Sequence, residues 1–366
     1  MKIPLVDLRA QYLTVKPQID AAIARVVDRC SFILGEEVDR FEKAFATFCE
    51  AKGAVGVASG TAALHLALQA AGIGSGDEVI TSTMTFTATG EAIANVGARP
   101  VFVDVDPQTL NLDPVRVEEA VTPRTKAIIA VHLYGQPADM ETLEAIARRR
   151  NLVLIEDAAQ AHGARFRGQR CGGTDRLTCF SFYPGKNLGA FGDAGAVTSN
   201  DETLLAKVRR LRDHGRVSKY EHLEIGWGER IDALQAAILA EKLPLLEGWN
   251  QSRRALARRY TELLAGTPLQ PLHESKSVDH VFHLYVSRTP RRDALLAHLQ
   301  SKGVGAGIHY PIPLHRQPAY AQFGYADIQL PVAEAAAAEI ISLPLFPEMS
   351  PEQQGAVVAA VKEFGV

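Results

Sequence analysis

Between about residues 55 and 199, short apolar runs alternate with stretches whose apolar positions recur at helical spacing. The runs at 54–58, 78–81, 100–105, 127–131, 152–155, 179–182 and 195–198 predict strands. The segments 62–71, 87–96, 114–121 and 138–149 predict helices between them. Strands that are apolar throughout, rich in Val and Ile and separated by helices imply a mainly parallel sheet covered on both faces. Ligands of such sheets bind beyond the carboxyl ends of the strands.

After Asn200 the pattern changes. Helical spacing runs over 203–213, 231–248 and 251–264. The order strand, helix, strand follows at 280–288, 292–302 and 303–308, and helices at 331–341 and 351–364 close the chain. The expected division is a large domain over 1–250, with an N-terminal arm, and a small α/β domain over 251–366.

Composition narrows the classes. A chain of 366 residues that is 47% hydrophobic can bury a substantial core. A formal net charge of −3 without a basic stripe gives no footprint for nucleic acid. Arg253, Arg254, Arg258 and Arg259 recur at helical spacing and read as a solvated helix face. No run approaches the ~20 apolar residues of a membrane span, and the start of the chain has no long apolar segment of the signal-peptide kind. Cys30, Cys49, Cys171 and Cys179 form no CxxC pair, and no His/Cys cluster has zinc-ligand spacing, so no metal is expected. They read as reduced, mostly buried thiols of a cytoplasmic protein.

The candidate chemistry sits at strand ends. Lys186 follows an apolar run and a Pro-Gly turn in Phe180-Ser181-Phe182-Tyr183-Pro184-Gly185-Lys186, a setting suited to a Schiff-base nucleophile. Asp157 ends another run in Leu154-Ile155-Glu156-Asp157, where a carboxylate can hold a protonated pyridine ring; it can equally cap a following helix. Gln160 could donate to a ring hydroxyl oxygen. Ser59-Gly60-Thr61 lies where a strand gives way to a helix, a place for phosphate or for an ordinary helix cap. Phe86 follows a strand end and suits either stacking on a flat ring or core packing.

Taken in order, these segments resemble the DegT/DnrJ/EryC1/StrS family of sugar aminotransferases. The likeness runs from Ile3-Pro4-Leu5-Val6-Asp7 through Val131-His132-Leu133-Tyr134-Gly135-Gln136 and Glu156-Asp157-Ala158-Ala159-Gln160-Ala161-His162-Gly163. It continues through Ser181-Phe182-Tyr183-Pro184-Gly185-Lys186-Asn187, Gln235-Ala236-Ala237 and His309-Tyr310-Pro311. The resemblance implies an aspartate-aminotransferase-like α/β fold with a seven-stranded sheet, and pyridoxal 5′-phosphate (PLP) as cofactor. It implies Lys186 as the Schiff-base lysine, Asp157 on the pyridine nitrogen, Gln160 on the ring hydroxyl and Phe86 on the ring face. Gly60, Thr61 and Ser181 would then hold the phosphate.

The same resemblance implies a homodimer with cofactor sites at the interface, glutamate as amino donor and a nucleotide-linked keto-hexose as acceptor. The segment 214–237 looks closer to the branch that aminates C3 of dTDP-linked 6-deoxy sugars; C4 amination or a cyclitol acceptor are the alternatives. Tyr183, Lys219, Tyr220, His222 and His309 are candidate substrate contacts, although a solvated loop also accounts for 219–222 and a structural role for His309. A non-catalytic PLP-binding regulator is the reading from another class. One departure stands out. Gly228 occupies the place of an Asn that in the family reaches the phosphate across the dimer, and a backbone N–H or Arg230 is the expected substitute.

Overall fold

The computed structural model describes residues 2–365. Two helices that the strand pattern did not reveal, Leu8–Arg29 and Glu36–Cys49, precede the sheet. Val38, Phe41, Phe45 and Cys49 form the buried stripe of the second at helical spacing. Phe41 meets the Phe182 ring edge-on at 5.3 Å, and Phe45 meets that of Phe180 at 5.0 Å. These helices therefore press on the chain just before Lys186.

The seven-stranded sheet comprises Gly53–Val57, Glu78–Ser82, Arg99–Val103, Thr125–Val131, Val153–Asp157, Thr178–Ser181 and Gly195–Ser199. Each of the seven strands expected between residues 54 and 198 is present to within two residues. Across the sheet they stand in the order 53–57, 195–199, 178–181, 153–157, 125–131, 78–82, 99–103. All pairings are parallel except the two made by Gly195–Ser199, which runs against both neighbours. One face is packed by Ala63, Leu66, Ala67 and Ile93; the other is packed on one half by the N-terminal helices and Ala233–Lys242, and on the other half by Pro114–Ala120 and Met140–Arg150.

The later chain departs from expectation in several places. The helix expected over 231–248 is Ala233–Lys242, a short 3-10 turn at Leu243–Leu245, and then a new helix, Leu246–Leu263. The run 303–308 forms no strand: it makes only isolated bridges, Ile3 with Val304 and Gly307 with Ser342. Its partner changes within four residues, so no ladder can propagate. The helix expected over 331–341 stops at Glu339, and Ile340–Leu343 is a strand beside Tyr285–Arg288. Ile3, Tyr260, Leu299, Ile341, Phe346 and Val357 share one apolar cluster, so the N-terminal segment packs with the end of the chain.

Arg253 corrects the reading of the arginine cluster. Arg258 and Arg259 are exposed, but Arg253 is 2% exposed and its Nη1 donates to the carbonyls of Phe282, His283 and Leu345.

Candidate active site

Lys186 is carried by a turn fixed from both ends. Phe182 N donates to Ala194 O, Ala190 N to Phe182 O and Lys186 N to Tyr183 O. Asn187 Nδ2 donates to Asn250 Oδ1 at 2.9 Å and to Val281 O at 3.0 Å. Asn250 Nδ2 in turn donates to His162 O at 2.8 Å. Buried Lys242 donates to Gly189 O. A Cβ on Gly189 would lie 2.2 Å from Pro184 O, so only glycine allows this approach.

The Lys186 side chain makes no hydrogen bond or ion pair among the described residues. Burial lowers its pKa to about 8, against the pull of Asp157 in the other direction. Burial and the Lys186 charge also hold His162 at about 3 and His309 at about 4. His283 is pushed well down by the same two causes, with Arg253 adding to them. Neutral imidazoles thus surround the amine.

Asp157 ends its strand 5% exposed. No helix follows it, which removes the capping alternative. Its Oδ2 accepts from Thr89 Oγ1 at 2.8 Å and its Oδ1 from Ala159 N at 3.2 Å. Burial raises its pKa, and the Thr89 bond opposes the rise. Gln160 Oε1 accepts from Tyr134 N at 2.6 Å, while Nε2 donates to Tyr310 Oη at 3.2 Å. The Tyr310 ring lies 5.9 Å from that of Phe86, which remains 54% exposed beside it.

Ser59 caps the helix Gly60–Ala70 by accepting from Ala62 N at 3.0 Å. The N–H groups of Gly60 and Thr61 make no hydrogen bond among the described residues and stand at the positive end of the helix dipole. Gly60 abuts Ser181: a Cβ on it would lie 2.6 Å from Ser181 Cβ. Tyr183 is 60% exposed on the Lys186 turn. His309 Nδ1 pairs with Ser342 Oγ at 2.8 Å.

The structure thus brings Gly60 to Ser181, Phe86 and Gln160 to Tyr310, and Asp157 within the electrostatic reach of Lys186. Lys219, Tyr220 and His222 are not joined to this cluster within one chain. They stand on an exposed turn, where the Lys219 amine lies over the Tyr220 ring and His222 Nδ1 pairs with His214 O. A Cβ on Gly228 would lie 3.2 Å from His214 Cε1, and Arg230 is engaged by Asp213 at 2.5 Å.

Thr89, Tyr134, Tyr310 and Asn250 escaped the sequence reading as individual contributors. Tyr134 and Tyr310 sit in segments the resemblance had already marked; Thr89 and Asn250 carry no local signal. His132, Glu156 and Cys171 lie close enough to share an ion. However, His132 spends Nε2 on Glu156 and Nδ1 on the Ala138 N–H, and Arg176 holds the other Glu156 oxygen. No ring nitrogen is left for a metal.

These residues fit PLP. An unpaired amine of lowered pKa, a buried carboxylate, a helix N-terminus closed tightly by Ser181 and an aromatic face open at Phe86 match the ring, its nitrogen and its phosphate.

Comparison with known proteins agrees with this chemistry. The profile of the DegT/DnrJ/EryC1/StrS aminotransferase family matches residues 14–362. A Geobacillus stearothermophilus protein named pleiotropic regulatory protein is 49% identical, with 100% of this chain and 99% of that one covered. The dTDP-3-amino-3,4,6-trideoxy-alpha-D-glucose transaminase of Streptomyces venezuelae is 46% identical, over 99% and 96% of the two chains. The structure of S. venezuelae DesV in complex with a ketimine intermediate superposes with a TM-score of 0.98. It shares 46% identity and covers 100% of this chain and 98% of the other.

Proposed function

This chain belongs to the PLP-dependent DegT/DnrJ/EryC1/StrS aminotransferase family, and from that premise we propose that it transfers an amino group from glutamate to C3 of a dTDP-linked 3-keto-6-deoxyhexose. The observation that carries the chemistry is the unpaired Lys186 amine, with its pKa lowered to about 8, within electrostatic reach of the buried Asp157 carboxylate. The 46% identical relative whose name places its amino group at C3 supports the acceptor.

When bound, PLP supplies an electron-withdrawing ring that spreads the negative charge left by removal of the donor's α-proton. Lys186 Nζ would anchor the cofactor and, as the free neutral amine, would take that α-proton. Asp157 would balance the positive charge of the ring nitrogen. Gly60, Thr61 and Ser181 would hold the phosphate through N–H and hydroxyl donors, and Gln160 would donate to the ring hydroxyl oxygen. Phe86 would stack on the ring. Tyr183 and His309 face the acceptor sugar.

The proposal includes a homodimer. Exposed apolar side chains on the turn after His214 (Val217, Tyr220, Leu223 and Ile225) are a surface for a second copy. In that arrangement Lys219, Tyr220 and His222 serve the neighbouring site, and Arg230 or a backbone N–H does the work of the missing Asn at Gly228. The large domain takes residues 1–250 and the small one 251–366. A cytoplasmic location completes the reading; no helix among the described residues is long and apolar enough to cross a membrane.

The test is a pair of half-reactions. Glutamate should convert bound PLP to its amine form with release of 2-oxoglutarate, and a dTDP-linked 3-keto-6-deoxy sugar should reverse the change. Lys186→Ala should lose both, because no other residue replaces the anchor; full turnover in that variant defeats the assignment. Faster reaction with a 4-keto, UDP-linked or cyclitol ketone would reassign the acceptor. The name of the 49% identical relative favours a second reading, a PLP-binding regulator. A protein that keeps its PLP unchanged through both half-reactions would support it.

A further inference from the structure

We propose that Thr89, supplied by Thr85, is a positioning residue that keeps the Asp157 carboxylate ionised and oriented toward the ring nitrogen of the cofactor. This rests on the reading of Asp157 given above. Thr89 lies in the first turn of the helix Thr87–Asn95, Thr85 stands just before that helix's N-cap, Phe86, and both are buried, at 1% and 4% exposure. Their hydroxyl oxygens are 2.9 Å apart, and Thr89 Oγ1 is 2.8 Å from Asp157 Oδ2.

The proton count gives this chain a direction. An ionised carboxylate only accepts, so the single hydroxyl proton of Thr89 goes to Asp157. Thr89 then has only lone pairs to offer Thr85, and the Thr85 hydroxyl is the donor. Each donation polarises the next, which strengthens the bond at the carboxylate. Each Asp157 oxygen accepts one protein proton, from Thr89 or from Ala159 N, and keeps a lone pair for a further partner.

The surroundings make this contribution consequential. Burial favours the neutral carboxyl, and the neighbours Tyr310 and Cys179 add no positive charge. Besides the hydrogen bonds from Thr89 and Ala159 N, Lys186 and His132 are the nearby groups whose charge favours the anion. Lys186 gives up its positive charge during the reaction. His132 donates its Nε2 proton to Glu156 rather than to Asp157. Thr89 is thus the side chain that supports the anion throughout. Without its proton, Asp157 becomes more basic and draws the shared proton from the ring nitrogen to its own oxygen. Carboxylate and pyridinium then become carboxylic acid and pyridine, with the proton conserved.

The test uses the full-length protein reconstituted with PLP labelled with nitrogen-15 in the ring, because the nitrogen shift reports protonation directly. The wild type should show a pyridinium. Thr89→Val, which keeps the shape and removes the donor, should move the shift toward pyridine and speed PLP release about tenfold, the scale of one hydrogen bond to a charged group. Thr89→Ser should restore both. If the valine variant does not fold, Thr89→Ala gives the same contrast. A pyridinium shift and wild-type release in folded Thr89→Val or Thr89→Ala would overturn the proposal while leaving the role of Asp157 intact. An unprotonated ring in the wild type would overturn both.

Discussion

A buried ammonium is disfavoured, and the surroundings of Lys186 hold its pKa at about 8, below the ordinary value of 10.5. Capture of PLP by the apoprotein requires the neutral amine, so its rate should rise with pH and level off above about pH 8; stopped-flow absorbance checks this. The same shift has a stability consequence. Between about pH 8 and 10.5 the unfolded chain binds the proton that folded Lys186 has lost, so this group's contribution to stability grows as pH rises through that window. At Gly60, Ala would force a Cβ to within 2.6 Å of Ser181 Cβ. Gly60→Ala should weaken PLP binding by roughly tenfold or more, since 1.4 kcal/mol of displaced phosphate contact is enough; equilibrium dialysis measures it. Lys186, Asp157, Gln160 and Phe86 were legible because each follows an apolar run that marks a strand end. Thr89 was not, because its partner Asp157 lies 68 positions away and the pairing leaves no mark in the local pattern.

At the scale of elements, the hairpin between Thr178–Ser181 and Gly195–Ser199 sets the position of Lys186. Its two strands pair antiparallel, so the turn leaves and re-enters the sheet at the same end. Gly189→Ala should cost roughly 3 kcal/mol, because the obstacle is the Pro184 backbone rather than a side chain that can swing away. A fall in the urea midpoint at unchanged slope would register it. The strands of the large sheet were legible for a simple reason: buried on both faces, they are nearly uniform apolar runs bounded by helices. The small strand Ile340–Leu343 was hidden because the Ala-rich helix before it runs into it with no turn residue between. The N-terminal helices lie outside the strand–helix alternation that guided the reading.

Over the whole molecule, Arg253 joins regions far apart in sequence. It binds three carbonyls on two segments, and burial lowers its pKa to about 10. Arg253→Met should destabilise the protein by roughly 3 kcal/mol, since the carbonyls lose a charged donor and Glu348 loses a nearby cation; calorimetry on the PLP-loaded protein checks this. Asn250 does the same for the active site. Its Oδ1 accepts a hydrogen bond from Asn187 and its Nδ2 donates one to His162 O, while Asn187 also donates to Val281 O. That clasp has a consequence in time. During synthesis, strands and helices up to residue 199 can assemble while the ribosome is still adding the rest. The turn carrying Lys186 gains its last two fastenings only when residues 250 and 281 have emerged and docked. Competence to capture the cofactor is therefore a late event in the life of the chain, reached after most of the sheet that frames it has formed.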